Sequence, residues 1–283
     1  MRTIAVANQK GGVGKTTTSV NLAVAMARAG LDVCLVDLDP QAHATLHAGV
    51  QPGASPLSAW DLLAGGVSLA ETRVRAGERL SVVPSHIDLS AIEMALANRA
   101  GREGILRQRI EADPACRADV GASPRHDVMV IDCPPSLGLL SLNAMAAADE
   151  VLLPLQPHFL ALHGLSKLLE TMELVADRVN PRLRLLGVVL CMYESATRLA
   201  GEVARDVEEF FAAGRGRHPV WSGAKVFRTR IRRNIRLAEA PSFGQSIFDY
   251  APDSNGAEDY AALAEEVLQA AAVDDRDVER RAA

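Results

Sequence analysis

Residues 9–18 read Gln-Lys-Gly-Gly-Val-Gly-Lys-Thr-Thr-Thr. Three glycines, Gly11, Gly12 and Gly14, leave the backbone room for close approach and unusual φ/ψ. A lysine, Lys15, and two hydroxyls, Thr16 and Thr17, follow at once. This is the phosphate-loop pattern G-x-x-x-x-G-K-[ST], except that Gln9 stands where the opening glycine belongs. The N–H groups of Gly11, Gly12, Val13, Gly14 and Lys15 can wrap a β-phosphate, and a helix starting at Thr16 adds its positive end. Lys15 is expected to contact the β- and γ-phosphates, and the Thr16 hydroxyl to ligate Mg2+. Lys10 is a second cation on the same loop. Lys15 already serves the loop's own nucleotide, so two readings stay open. Lys10 reaches a triphosphate held by another copy of the chain, or it is a solvated surface lysine.

Phosphoryl transfer also needs carboxylates near the metal and a positioned water. The apolar run Val128–Asp132 ends in Asp132, which places this carboxylate at the ligand end of a parallel strand, suited to holding Mg2+ through a water. Asp37 and Asp39 close a second run, and their i, i+2 spacing sets both on one side of an extended chain. Pro40 stops the strand, so the pair sits at the sheet rim, where a helix N-cap is the competing role. Farther on, Arg215, Arg217, Lys225, Arg228, Arg230, Arg232, Arg233 and Arg236 form a basic stretch uninterrupted by Asp or Glu. Clustered arginines neutralise phosphates and release counterions. No recognition helix, zinc finger or aromatic platform accompanies them, which points to backbone rather than base contacts.

The elements that would position these groups are short apolar runs alternating with helical patterns. Strands are expected at 3–8, 33–37, 80–84, 128–132, 151–155 and 185–191, continuously apolar as when both sheet faces are covered. Helices are expected at 16–29, 89–99, 137–147, 163–178 and 197–211. The alternation implies βαβ units, so the fold class is α/β: a single-domain P-loop NTPase over 1–272, with a mostly parallel twisted sheet and helices on both faces. Residues 113–125 read as a polar surface loop, and 273–283 as a charged, frayed tail. The chain has 283 residues and a net charge of −5, which excludes polyanion binding by bulk charge and requires a local patch. None of the four cysteines forms a C-x-x-C pair, so a metal or disulfide framework is not expected. No signal peptide or membrane-length apolar run is evident, which reads as cytosolic.

The block Lys10–Thr17 resembles the deviant Walker A motif of the ParA/MinD family. The similarity continues, in family order, through 36–41 (VDLDPQ), 130–138 (VIDCPPSLG), 154–169 (PLQPHFLALHGLSKLL) and 231–247 (IRRNIRLAEAPSFGQSI). It is greatest to the Soj-type, chromosome-partition branch. The resemblance implies ATP and Mg2+ as cofactors and an ATP sandwich homodimer in which Lys10 acts in trans. It implies that Asp39 is the catalytic aspartate orienting the attacking water; Asp37 and Asp39 are both expected among the Mg2+ residues, with Asp37 supporting the metal's shell. It places Met192 and Pro241 at the adenine, and non-specific double-stranded DNA on the basic stretch, with Arg233 and Arg236 at the family's DNA-holding positions. A ParB/Spo0J-like centromere-binding partner that stimulates hydrolysis, and a nucleoid-associated, cytoplasmic location, follow from the same resemblance. The sequence departs from the family at Arg232, where proline is usual, and at Ala196, where a DNA-contacting arginine is usual; Arg198 is the nearest substitute. The alternatives are a relative that positions a protein cargo and, less well supported, a MinD-like membrane-positioning ATPase. The end of the chain lacks the basic, bulky apolar helix the latter needs.

Overall fold

A computed structural model describes residues 1–116, 126–158, 161–195, 197–214 and 216–282. Most of the expected 113–125 loop, together with Ala196 and Arg215, lies outside the described residues. The chain opens with β1 (Arg2–Val6), α1 (Lys15–Arg28), β2 (Val33–Asp37) and α2 (His43–His47). A one-turn α3 (Leu69–Thr72), β3 (Val74–Arg75), β4 (Leu80–Val83), a one-turn α4 (Ile92–Ala95) and α5 (Ile105–Ala112) follow. Next come β5 (Val128–Asp132), α6 (Leu139–Ala147), β6 (Glu150–Leu155), α7 (Ala161–Arg178), β7 (Arg184–Tyr193) and α8 (Arg198–Gly214). The chain ends with α9 (Pro219–Ser222), β8 (Lys225–Arg232), α10 (Ile235–Glu239), α11 (Ile247–Tyr250) and α12 (Asn255–Ala282). Helix thus runs through 273–282, where the sequence suggested a frayed tail.

The strands form one sheet in the order β3-β4-β2-β5-β1-β6-β7-β8, parallel throughout except for the β3–β4 pair. Alternate residues of each strand serve opposite faces. Ile4 and Val6 join Val33, Leu35, Val128 and Val130 under α1 and α12, with Phe227, Tyr260 and Leu263. Ala5, Val36, Met129, Ile131 and Leu153 face the other way, packing with Leu106, Met145, Leu168, Val207 and Trp221. The central strands β2 and β5 are therefore buried along their whole length because both faces are dry, as expected of a doubly wound sheet. β1 lies between β5 and β6, so the loop after it opens at the centre of the carboxyl edge, where such sheets bind ligands.

Candidate nucleotide site

The loop from Asn8 to Gly14 is tied down at its start. The Asn8 amide donates to the Pro154 carbonyl at 2.7 Å, and its oxygen accepts the Lys10 N–H at 3.0 Å. Gly12 and Gly14 then take left-handed backbone, with φ of 72° and 92°, which glycine adopts without a steric penalty. Gly14 stands at the head of α1, and a Cβ placed on Gly11 or Gly12 would meet nothing within 4 Å. The loop therefore presents bare backbone at a helix N-terminus, the geometry that receives an anion. Val13 is buried beneath it. Lys15 is only 6% exposed, and its ammonium donates to the Lys10 carbonyl at 3.0 Å. Burial lowers its pKa, and the nearby carboxylates of Asp132 and Asp39 oppose that shift.

Thr16 and Asp132 meet directly. The Thr16 hydroxyl donates to Asp132 Oδ2 at 2.9 Å, and Ser19 donates to Oδ1 at 2.7 Å. Asp37 and Asp132 are register partners on β2 and β5, both fully buried. Desolvation pushes both carboxyls well above the usual range, and their mutual repulsion adds to the shift of Asp132. A site with buried carboxylates and one lysine suits a divalent cation brought in by a phosphate. Among the described residues no group of three or more His, Cys, Asp or Glu side chains forms a metal cage. Mg2+ keeps waters and phosphate oxygens as ligands, so Thr16 and Asp132 need supply only part of its shell. Asp37 does not face Thr16. Its Oδ2 accepts both the Thr45 N–H, at 2.8 Å, and the Thr45 hydroxyl, at 2.7 Å, while Oδ1 accepts the Asp39 N–H at 3.0 Å. These bonds make Asp37 a brace that fixes the turn carrying Asp39. Asp39 is 9% exposed; its Oδ1 accepts the Gln41 N–H at 3.0 Å and its carbonyl accepts the Ser85 hydroxyl at 2.6 Å.

Beside the loop lies a cavity of about 320 Å³, walled by Gly14, Thr17, Cys191, Met192, Tyr260 and the segment 231–235 with 237 and 238. Met192 holds φ at 51°, an uncommon conformation for a side-chain-bearing residue and one that collects at ligand sites. Its expected place at the base is compatible with this wall. Pro241 is not among the lining residues; it sits in the 3-10 turn 240–243, and the wall is built instead by β8 and the start of α10.

That wall was missed because β8 is also the arginine stretch. Its arginines divide by what they touch. Arg232 forks onto Asp259 and Glu258 of α12 and lines the cavity. The same carboxylates hold its guanidinium charged, raising an already high pKa. Arg230 lies 4.5 Å over the Tyr193 ring and donates to the Tyr193 hydroxyl, so it too is engaged. Arg233 is 74% exposed and Arg236 54%, each in a surface ion pair, with Glu194 and Glu239. Such pairs hold weakly and exchange readily for other anions. The side chains of Arg198 and Arg228 are exposed as well. The four cysteines are free, and burial raises every thiol pKa, that of Cys34 to about 11.

Fold and site together define a P-loop NTPase. Residues 1–185 match the family model described as an AAA domain. The chain is 40% identical over 269 residues to the chromosome partitioning protein ParA of Caulobacter vibrioides, covering 95% of this chain and 94% of that one. It is 43% identical over 270 residues to the chromosome-partitioning ATPase Soj of Thermus thermophilus, covering 95% and 96%. Among solved structures it matches one titled cobyrinic acid a,c-diamide synthase from Mycobacterium smegmatis, with bound ATP analogue and magnesium. That match has a TM-score of 0.76 and 36% identity over 95% of both chains. The Pyrococcus furiosus cell division ATPase MinD matches with a TM-score of 0.71 and 26% identity, over 95% of this chain and 98% of that one. The chain belongs to the ParA/Soj family of chromosome-partitioning ATPases.

Proposed function

We propose that this chain is a DNA-segregation ATPase that grips DNA as an ATP-bound sandwich dimer and lets go on hydrolysis. The loop 10–17 cradles the triphosphate, with Lys15 on its β- and γ-phosphates and Lys10 reaching to the nucleotide of the second copy. Thr16 and Asp132 would hold Mg2+, which would offset the charge of the phosphates. Asp39, fixed by the Asp37–Thr45 brace, orients the attacking water. Arg233 and Arg236, with Arg228 and Arg198, meet phosphates of double-stranded DNA without reading its sequence. A ParB-like centromere-binding partner stimulates turnover, and the cycle runs on the nucleoid in the cytoplasm. Among the described residues no helix is long and apolar enough to cross a membrane.

The observation that carries this reading is the double duty of segment 231–238. It walls the cavity beside Gly14 and Thr17, and it also presents Arg233 and Arg236 to solvent. A nucleotide seated there touches the element that would touch DNA. The test is phosphate release with and without random duplex DNA and the candidate partner peptide, together with sedimentation in a slowly hydrolysed ATP analogue. The expected result is analogue-dependent dimerisation that Lys10→Ala abolishes while nucleotide binding persists, and turnover that rises when DNA and partner are both present. A Lys10→Ala chain that dimerises normally removes the role in trans, and turnover indifferent to DNA and partner removes the segregation cycle.

A further inference from the structure

The Lys10 ammonium is already engaged within its own protomer. Its Nζ lies 2.5 Å from His158 Nε2, on the loop that leaves β6. An ammonium has donors only, so the imidazole nitrogen facing it is the acceptor and His158 is neutral there. The backbone around this contact is held on both sides. Lys10 N–H is fixed by Asn8, whose amide is fastened to Pro154 at the end of the same β6, and the Lys10 carbonyl accepts from Lys15. The loop and the β6 exit are thus one unit, and His158 meets Lys10 without displacing either strand. Burial and the neighbouring Lys10 charge both lower the His158 pKa, which keeps the acceptor in place at neutral pH.

We propose that His158 is a latch for the trans-acting lysine: its imidazole parks Lys10 on the lip of its own loop, and each protomer gives up that contact when Lys10 crosses to the partner's nucleotide. This rests on the sandwich-dimer reading. Two latches open per dimer, so the cost enters the dimer constant twice. A contact that favours the parked position about threefold on each side holds the dimer back about tenfold, a size within the net range of one hydrogen bond per protomer. In the latch His158 works through Lys10 and is a positioning residue.

Two measurements test the latch. In nucleotide-free full-length protein, the His158 ring titration followed by NMR should move to higher pH in Lys10→Ala, because the neighbouring cation is gone. An unchanged titration overturns the contact. In the slowly hydrolysed ATP analogue, sedimentation equilibrium should show His158→Ala dimerising at about tenfold lower concentration than the unaltered chain. His158→Gln, whose amide oxygen can accept from Lys10, should return close to the unaltered value. In Lys10→Ala the His158 substitution should change nothing. If the unaltered chain dimerises and His158→Ala dimerises no more readily, the latch is wrong and the dimer stands. If the unaltered chain stays monomeric while the ring titration still depends on Lys10, the sandwich reading fails, and the latch with it, although the contact is real.

Discussion

Asp39 keeps its backbone and one carboxylate oxygen occupied, by Gln41 and Ser85, and among the described residues its Oδ2 takes no hydrogen bond. That free oxygen, on a turn braced by Asp37, is where a water can be held. Asp39→Ala should therefore lower ATP turnover by about 100-fold or more, the usual worth of a positioned general base. Nucleotide affinity should change little, since Lys15 and the loop are untouched. Phosphate release and nucleotide titration of the same preparation check both halves, and near-normal turnover removes the role. A second residue-scale prediction concerns folding rather than catalysis. His47 is 1% exposed on α2, and burial pushes its pKa down to about 4, against a small opposing effect of the Gln245 backbone. The folded chain thus keeps the ring neutral in a range where the unfolded chain binds a proton. The stability is complete above pH 6.5 and is lost as pH falls from there to about 4, by roughly 1.4 kcal/mol per pH unit. Asp37 and Asp132, whose raised carboxyls give the opposite slope, contribute equally to the natural chain and to His47→Gln, so urea unfolding at stepped pH should show the natural chain losing stability relative to His47→Gln at this slope as pH falls.

At the scale of elements, six strands were legible because burial on both faces makes them continuously apolar, and their ends placed Asp37 and Asp132 correctly at the carboxyl edge. β8 was not legible in that way. Its buried apolar residues, Phe227 and Ile231, serve one face, Val226 alone packs on the other, and arginines occupy most of the remaining positions, so the stretch reads as a charge cluster before it reads as a strand. A period of two was the available signal. The same strand lies at the sheet edge, and α12 covers it: Glu266 accepts the N–H groups of Arg228 and Thr229 at 3.0 Å, and Asp259 accepts that of Arg232 at 2.8 Å. Those carboxylates occupy donors that would otherwise invite another strand. The expected helix over 89–99 failed for a tertiary reason. Only Ile92–Ala95 is α-helical, and Glu93 is turned away to cap α6, accepting the Leu139 N–H at 3.0 Å. The β7–β8 pairing gives a sharp prediction. A Cβ on Gly187 would stand 2.5 Å from the Lys225 carbonyl and 2.9 Å from the Phe227 ring. Backbone cannot yield as a flexible side chain does, so Gly187→Ala should cost about 1–3 kcal/mol of stability. It should also loosen the cavity wall. An unchanged urea midpoint would show that β8 can shift freely.

The whole molecule carries a net charge of −5, so any attraction to DNA must come from where its cations sit rather than how many there are. The structure divides the cluster seen in the sequence: Arg230 and Arg232 are engaged by Tyr193 and by Asp259 and Glu258, while Arg217, Lys225, Arg228, Arg233 and Arg236, with Arg198 outside the cluster, are exposed. The exposed cations of one protomer make a weak site, and two protomers joined through nucleotide double their number, which is why dimerisation and DNA binding are expected to appear together. Binding measured against salt separates this from contacts elsewhere. Each phosphate contact adds about 0.9 to the slope of log K against log salt. Reversing Arg233 and Arg236 to glutamate removes up to two contacts per protomer, so the dimer's slope should fall by up to about 3.6, on the same arithmetic. Their partners Glu194 and Glu239 are surface residues, so the fold should tolerate the loss. Arg236 does not line the cavity, so Arg236→Glu alone should leave nucleotide affinity and analogue-dependent dimerisation intact, whereas Arg233 lines it and its reversal also sets a negative charge beside the nucleotide. A double variant that still dimerises but keeps the full salt slope would move the DNA surface off this segment altogether, and the coupling of nucleotide to DNA would then need a route other than the shared wall.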